Sequence, residues 1–231
     1  MPVFTLSHRL SFPPPHLAIK EGLLAVGGDL SQERLLLAYR MGIFPWYSED
    51  EPIMWWSPDP RLVLYPSEFR VSRSLKKTIK KQIFRLTVDE SFESVINACA
   101  HSRTKVDEGT WIVEEMIAAY CRLHESGLAH SVEAWQDGKL AGGLYGVSLG
   151  KCFFGESMFT HTSNASKVAL VALVEHLRAL NFDFIDCQIS TPHLLSFGAR
   201  EIPRTRFLRE LAQALKTPTL KGKWSFSTIP A

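Results

Sequence analysis

The chain has 231 residues, 45% of them hydrophobic, with 26 lysines and arginines against 24 acids. That suffices for one large domain, or a body with a small accessory domain, and the near-average charge and aromatic fractions exclude disorder, collagen and coiled coil. No apolar run approaches the roughly 20 residues of a membrane span and no signal-peptide pattern is visible. The four cysteines (Cys99, Cys121, Cys152, Cys187) are scattered, so a reduced cytoplasmic protein is expected.

Residues 1–60 stand apart. They hold eight of the 13 prolines, together with Phe44-Pro45-Trp46-Tyr47 and Trp55-Trp56-Ser57-Pro58. One helix is legible: Ser31 offers an N-cap oxygen, Leu35, Leu36, Ala38 and Tyr39 recur as apolar positions, and Gly42 supplies the stop. Proline-rich loops around one helix predict a small N-terminal domain, 1–60, docked on a larger domain, 61–231.

From residue 61 the pattern becomes regular. Arg61–Tyr65 and Ile83–Val88 alternate as strands do. Between them, Arg70, Arg73, Lys76, Lys77, Lys80, Lys81 and Arg85 follow one another with no acid, leaving the remainder net −5. Ser72 can cap a short helix here, with Arg73, Lys76, Lys77, Lys80 and Lys81 at three- and four-residue steps along one face. Such a stripe is either a solvated face or a seat for a polyanion, and nucleic-acid phosphates are the natural polyanion. Helices are expected over 91–100 and 111–126, the second capped by Thr110 and closed by Gly127. Ser131–Gln136 and Lys139–Tyr145 read as a hairpin across Asp137-Gly138, a pair suited to a type I′ turn. A short strand (Lys151–Gly155), a long helix (Ser163–Leu180), an apolar strand (Phe182–Ile189) and a helix from Pro203 complete an α/β or α+β pattern with a mixed sheet. The tail from Thr217 is unpatterned.

Candidate chemistry gathers on few residues. Asp186 and Gln188 lie inside Phe182–Ile189, where alternation places them on one face with Phe184, opposite Ile185, Cys187 and Ile189. An acid beside an amide on an apolar strand is costly unless partnered or open on a cleft, so the two are a satisfied pair or part of a site. Glu156, read as a loop carboxylate after a strand, is either solvated or functional. Ala141–Gly146 permits close backbone approach and reads equally as a bulged strand. Trp46, Trp55, Trp56 and Trp111 either stack bases or fill a core. The histidines lack ligand spacing, so no metal is expected. Neither G-x-x-x-x-G-K-[ST] nor G-x-G-x-x-G occurs, which argues against nucleotide hydrolysis and dinucleotide chemistry.

Six stretches occur in order: GLLAVGGDL (22–30), GIFPW (42–46), WWSPDPR (55–61), EGTWI (108–112), GESMF (155–159) and DCQ (186–188). Over residues from about 10 to 215 the chain closely resembles bacterial leucyl/phenylalanyl-tRNA–protein transferases. The resemblance implies a C-terminal domain of GNAT-like (acyl-CoA N-acyltransferase-like) fold. It implies transfer of Leu or Phe, with Met a further candidate donor, from aminoacyl-tRNA to the α-amine of an N-terminal Arg or Lys, marking that protein for degradation. No cofactor, DNA or membrane is implied. Asp186, Gln188 and Glu156 become the expected catalytic residues, and Leu144, Phe153, Met158, Leu170 and Ile185 the donor pocket. Trp46 and Trp111, with Tyr39 nearby, would meet the terminal adenosine; Arg73, Lys76, Lys77, Lys80, Lys81 and Arg85 would hold acceptor-stem phosphates. Two positions depart from the expected family pattern: Leu144 stands for Met, and Thr191 for Asn.

The residues suit that activity. An aminoacyl ester is already activated, so neither ATP nor metal is required. The acceptor α-amine titrates near 7.7–8.0, so no strong base is needed. The Gln188 amide can position amine or ester, with Asp186 expected to accept from its NH₂, and Asp186 and Glu156 to attract the cationic acceptor. An acyl-CoA-dependent N-acyltransferase is the alternative, but its [QR]-x-x-G-x-[GA] loop is absent from the sequence. A non-catalytic RNA-binding protein would explain the cations and tryptophans but not the Asp186/Gln188 strand.

Overall fold

The computed structural model describes residues 3–101 and 112–226. The smaller of two sheets is built from β1 (Phe4–Leu6), β2 (Leu23–Gly27), β3 (Phe44–Pro45) and β4 (Met54–Trp56), with α1 (Gln32–Arg40) between β2 and β3. Its order is β1-β2-β4-β3, parallel between β1 and β2 and antiparallel elsewhere. Ser31 caps α1 as expected, its hydroxyl accepting from the Arg34 amide at 3.4 Å. Trp55 is core: it is wholly buried, and its indole donates to the Gly27 carbonyl at 2.8 Å.

The larger sheet begins at β5 (Arg61–Leu64), followed by α2 (Arg73–Lys80), β6 (Arg85–Val88), α3 (Phe92–His101), α4 (Glu114–Glu125), β7 (Ala129–Gln136), β8 (Lys139–Leu149) and β9 (Cys152–Thr160). After α5 (Ala165–Ala179) come β10 (Phe184–Gln188), α6 (Pro192–Ser196), β11 (Arg200–Ile202) and α7 (Arg204–Ala214). The strand order is β11-β5-β10-β9-β8-β7-β6, with only β9 and β10 parallel. Seven α-helices among the described residues and two mixed sheets make this an α+β chain. The apolar residues of α1, α3, α4 and α7 form one core cluster, which also takes in the small sheet. The cluster around α5 and Leu75 of α2 forms the other.

Several local expectations hold. Asp137 and Gly138 both have positive φ, at 51° and 74°, as a type I′ turn requires. Ser72 caps α2, accepting from the Leu75 amide at 3.2 Å. The glycine-rich 141–146 is a bulged strand: Ala134 pairs with Gly142 and Trp135 with Leu140, which leaves Ala141 extra in β8. A Cβ at Gly146 would lie 2.2 Å from the Phe154 carbonyl oxygen, so only glycine admits the neighbouring strand there. The G-x-S-x-G match Gly146–Gly150 is no nucleophile elbow, because Ser148 is buried inside β8, which turns into β9 rather than into a helix.

Other expectations are corrected. The strand read as Lys151–Gly155 continues to Thr160, because β8 offers a partner along its whole length. Phe182–Ile189 shortens to Phe184–Gln188. Pro203 caps α7 rather than opening it. Thr110 and Trp111 lie outside the described residues, and α4 is described from Glu114. The unpatterned tail is not idle. Trp224 is buried, stacks on His130 with ring centroids 3.7 Å apart, and donates its backbone N–H to Asp89 at 2.7 Å.

Candidate active site

A cavity of about 440 Å³ opens between β8, β9, β10 and α5, within the range of small-molecule pockets of roughly 300–1,000 Å³. The five expected donor-pocket residues all line it. Register explains why: Leu144 and Met158 are direct partners across β8 and β9, and Phe153 and Ile185 across β9 and β10. Leu170 closes the wall from α5, while Phe44 and Trp46 reach in from the small sheet. Trp46 is 39% exposed at the rim and packs on Trp56 with ring centroids 5.6 Å apart.

Two β-bulges meet at this cavity. In β9, Tyr145 pairs with Ser157 and Gly146 with Gly155, which leaves Glu156 as the extra, unpaired residue. The carboxyl expected on a loop is therefore a buried strand residue facing the cavity. Its Oε1 accepts from Gln188 Nε2 at 2.9 Å, and its Oε2 from the Tyr120 hydroxyl at 3.0 Å. Burial pushes the Glu156 carboxyl up to about 7, although the hydroxyls of Tyr39 and Tyr120 and the Gln188 amide pull it down. In turn, burial first and the Glu156 charge second hold both tyrosines well above their ordinary value.

The second bulge lies in β10, where Asp186 pairs with Val63, Gln188 with Leu62, and Cys187 is extra. Gln188 adopts φ +62°. Regular alternation therefore fails here: Ile185, Cys187 and Gln188 line the cavity together, and Asp186 points away from it. The expected link between Asp186 and the Gln188 side chain is corrected accordingly. Asp186 Oδ1 accepts the Gln188 backbone N–H at 2.9 Å, while the amide side chain turns to Glu156. Asp186 is wholly buried and paired to Arg61, whose Nε and Nη2 donate to its two oxygens at 2.8 and 2.7 Å. Asp186 therefore does not reach the cavity to attract an acceptor, and Glu156 is the acid on its wall.

Tyr39 is corrected as well. It is wholly buried and its hydroxyl lies 2.5 Å from that of Tyr120, so it supports Glu156 rather than meeting an adenosine. Trp111 lies outside the described residues. Thr191 lines the cavity and caps α6, accepting from the Leu194 amide at 3.3 Å. Arg73, Lys76, Lys77, Lys80 and Lys81 are all exposed along α2 and its end. Arg85 stands apart on β6, paired with Glu90 at 3.2 Å and set over the Trp135 ring. Residue patterning alone marks Arg61 only as a strand residue and Tyr120 only as a helix-face residue. Charge on an apolar strand is the available signal for Arg61; its partner lies 125 residues away.

The family model described as leucyl/phenylalanyl-tRNA protein transferase matches residues 63–212, and that of its N-terminal domain residues 28–59. A leucyl/phenylalanyl-tRNA–protein transferase of Desulfatibacillum aliphaticivorans is 63% identical over 99% of this chain and 98% of its own length. The namesake of Syntrophobacter fumaroxidans is 60% identical over 97% of this chain and 96% of its own. Among solved structures, L-PGS of Bacillus licheniformis aligns with a TM-score of 0.38 and 11% identity, covering 73% of this chain and 54% of that one. Within the described residues, no helix is long and apolar enough to cross a membrane. On the strength of its near-full-length relatives, the chain belongs to the leucyl/phenylalanyl-tRNA–protein transferase family and is an aminoacyltransferase.

Proposed function

We propose that the cavity takes the Leu or Phe side chain of an aminoacyl-tRNA, with Met a further donor, and passes that residue to the α-amine of an N-terminal Arg or Lys. The observation that carries this reading is an apolar cavity walled by Leu144, Phe153, Met158, Leu170 and Ile185 with Glu156 and Gln188 set together on it. The amine lone pair attacks the ester carbonyl carbon, forming the C–N bond. The carbonyl oxygen carries the negative charge until the ribose oxygen leaves, and a proton passes from nitrogen to that oxygen. Gln188 spends one N–H on Glu156; its second N–H and its carbonyl oxygen remain to orient ester and amine. Glu156, titrating near 7, can hold the proton between the two and attract a cationic acceptor. Placement in attack geometry supplies much of the rate, up to about 7–11 kcal/mol in well-oriented intramolecular reactions.

In this reading residues 1–60 and 61–231 are two domains, the second GNAT-like, and the enzyme is cytoplasmic, working without cofactor to mark proteins for degradation. The direct test is incubation with labelled Leu-tRNA or Phe-tRNA and a peptide beginning with Arg. Label in the peptide supports the reading; label taken only from acetyl-CoA favours an acyl-CoA-dependent enzyme.

Two substitutions probe the substrate sites. The α2 stripe would hold tRNA phosphates, in keeping with backbone-dominated reading of two unlike tRNAs. Replacing Lys76, Lys77, Lys80 and Lys81 by Ala is expected to raise KM for charged tRNA. Its salt slope should also flatten, by about 0.7–0.9 for each phosphate no longer neutralised. An unchanged slope moves the RNA elsewhere. Met158→Trp narrows the wall opposite Leu144 and is expected to penalise Phe donors more than Leu donors. Equal penalties in competition assays would displace the donor pocket.

A further inference from the structure

Gln188 is held in an uncommon backbone state. Its φ is +62°, and the Ile189 amide donates to the Cys187 carbonyl at 2.7 Å, closing a three-residue turn centred on it. This positive-φ form of the turn is the rare, strained one, and a non-glycine residue there needs its surroundings to enforce it. One contact is placed to do so: Asp186 Oδ1 accepts the Gln188 backbone N–H at 2.9 Å. That carboxylate is fixed by the Arg61 fork at 2.8 and 2.7 Å, and the guanidinium lies between the rings of Phe44 and Phe207, 4.7 Å from each centroid. Phe44 belongs to the small sheet and also lines the cavity, whereas Phe207 belongs to α7.

We propose that Arg61 is a positioning residue for aminoacyl transfer: it holds Asp186 so that Asp186 clamps the turn aiming the Gln188 amide into the cavity. This rests on the transfer reading above, because it gives Gln188's orientation a catalytic consequence. Arg61 touches no substrate and does not line the cavity. Lysine cannot reproduce its paired donors, since an ammonium is a point charge.

The test is a double-mutant cycle on Leu transfer to an Arg peptide, read with thermal melts. Arg61→Lys is expected to lower kcat by about 100-fold, the scale of an ångström-level misplacement, with KM for Leu-tRNA within about twofold. Gln188→Ala is expected to lose a similar factor, and the double variant no more than about threefold beyond either single, because both remove one function. Multiplying losses, or an undiminished kcat in Arg61→Lys, overturns the proposal. If Arg61→Lys does not fold, Arg61→Gln, whose single amide likewise cannot supply the paired donors, takes its place in the cycle under the same criteria. A crystal structure of the folded variant separates this proposal from the transfer reading. Loss of the positive φ at Gln188 supports the clamp even should the wild type prove inert toward charged tRNA; an intact turn overturns it whatever the assay gives.

Discussion

Glu156→Gln is expected to lower kcat for peptide transfer by about 100-fold or more and to remove one limb of its pH profile. In the proposed transfer two groups must lose protons before attack. The carboxyl of Glu156, pushed up to about 7 by burial, cannot take a proton below that pH. The acceptor α-amine, titrating near 7.7–8.0, is a nucleophile only when neutral. Activity should therefore rise with pH through both values, and the variant should keep only the amine's limb. A profile unchanged by the substitution would remove Glu156 from the proton path. Stability should move the other way. The folded value lies above the unfolded 4.5, so the folded state holds the extra proton and stability falls as pH rises from about 4.5 to 7. The cost above pH 7 is on the order of 3 kcal/mol. Glu156→Gln should thus melt higher than wild type at pH 8 and not at pH 4, a difference read by calorimetry at the two pH values.

Asp186→Ala is expected to reduce the unfolding free energy by about 3–5 kcal/mol, because it strands a buried guanidinium. The Arg61 side chain is 1% exposed and meets both Asp186 oxygens, and its guanidinium lies 4.7 Å from the ring centroids of Phe44 and Phe207. Urea unfolding measures this directly. A loss below about 1 kcal/mol would mean that Arg61 finds water or another acceptor once Asp186 is gone. The alanine variant is consequently a poor probe of catalysis by itself, since lost transfer would mix lost fold with lost chemistry. Asp186→Asn keeps an oxygen for the Gln188 amide and is the cleaner comparison.

Much of the fold is open to reading residue by residue. Ser31 and Ser72 cap their helices, and Asp137-Gly138 turns its hairpin, because these signals act over three or four residues. The five residues expected to form a donor pocket could be grouped only through resemblance, since the cavity's walls come from β8, β9, α5 and β10 and meet through strand register. Glu156 reads as a loop residue because the strand pattern stops at Gly155. A bulge looks like an ending when only one strand is in view.

The order of amino acids determined by itself the α2 stripe, the capped helices α1 and α2, the Asp137-Gly138 hairpin and the family to which the six motifs point, but not the four-stranded sheet within residues 1–60. Only the tertiary structure decided where Asp186 and Gln188 point. Period-two alternation places them on one face, yet an extra residue in β10 and a positive φ separate them. Asp186 is sent to Arg61 and Gln188 to Glu156. A bulge is a relation between strands, and a buried charge is tolerable only through its partner. The partner strand and the partner charge both arrive from distant sequence, so neither could be read from the strand alone.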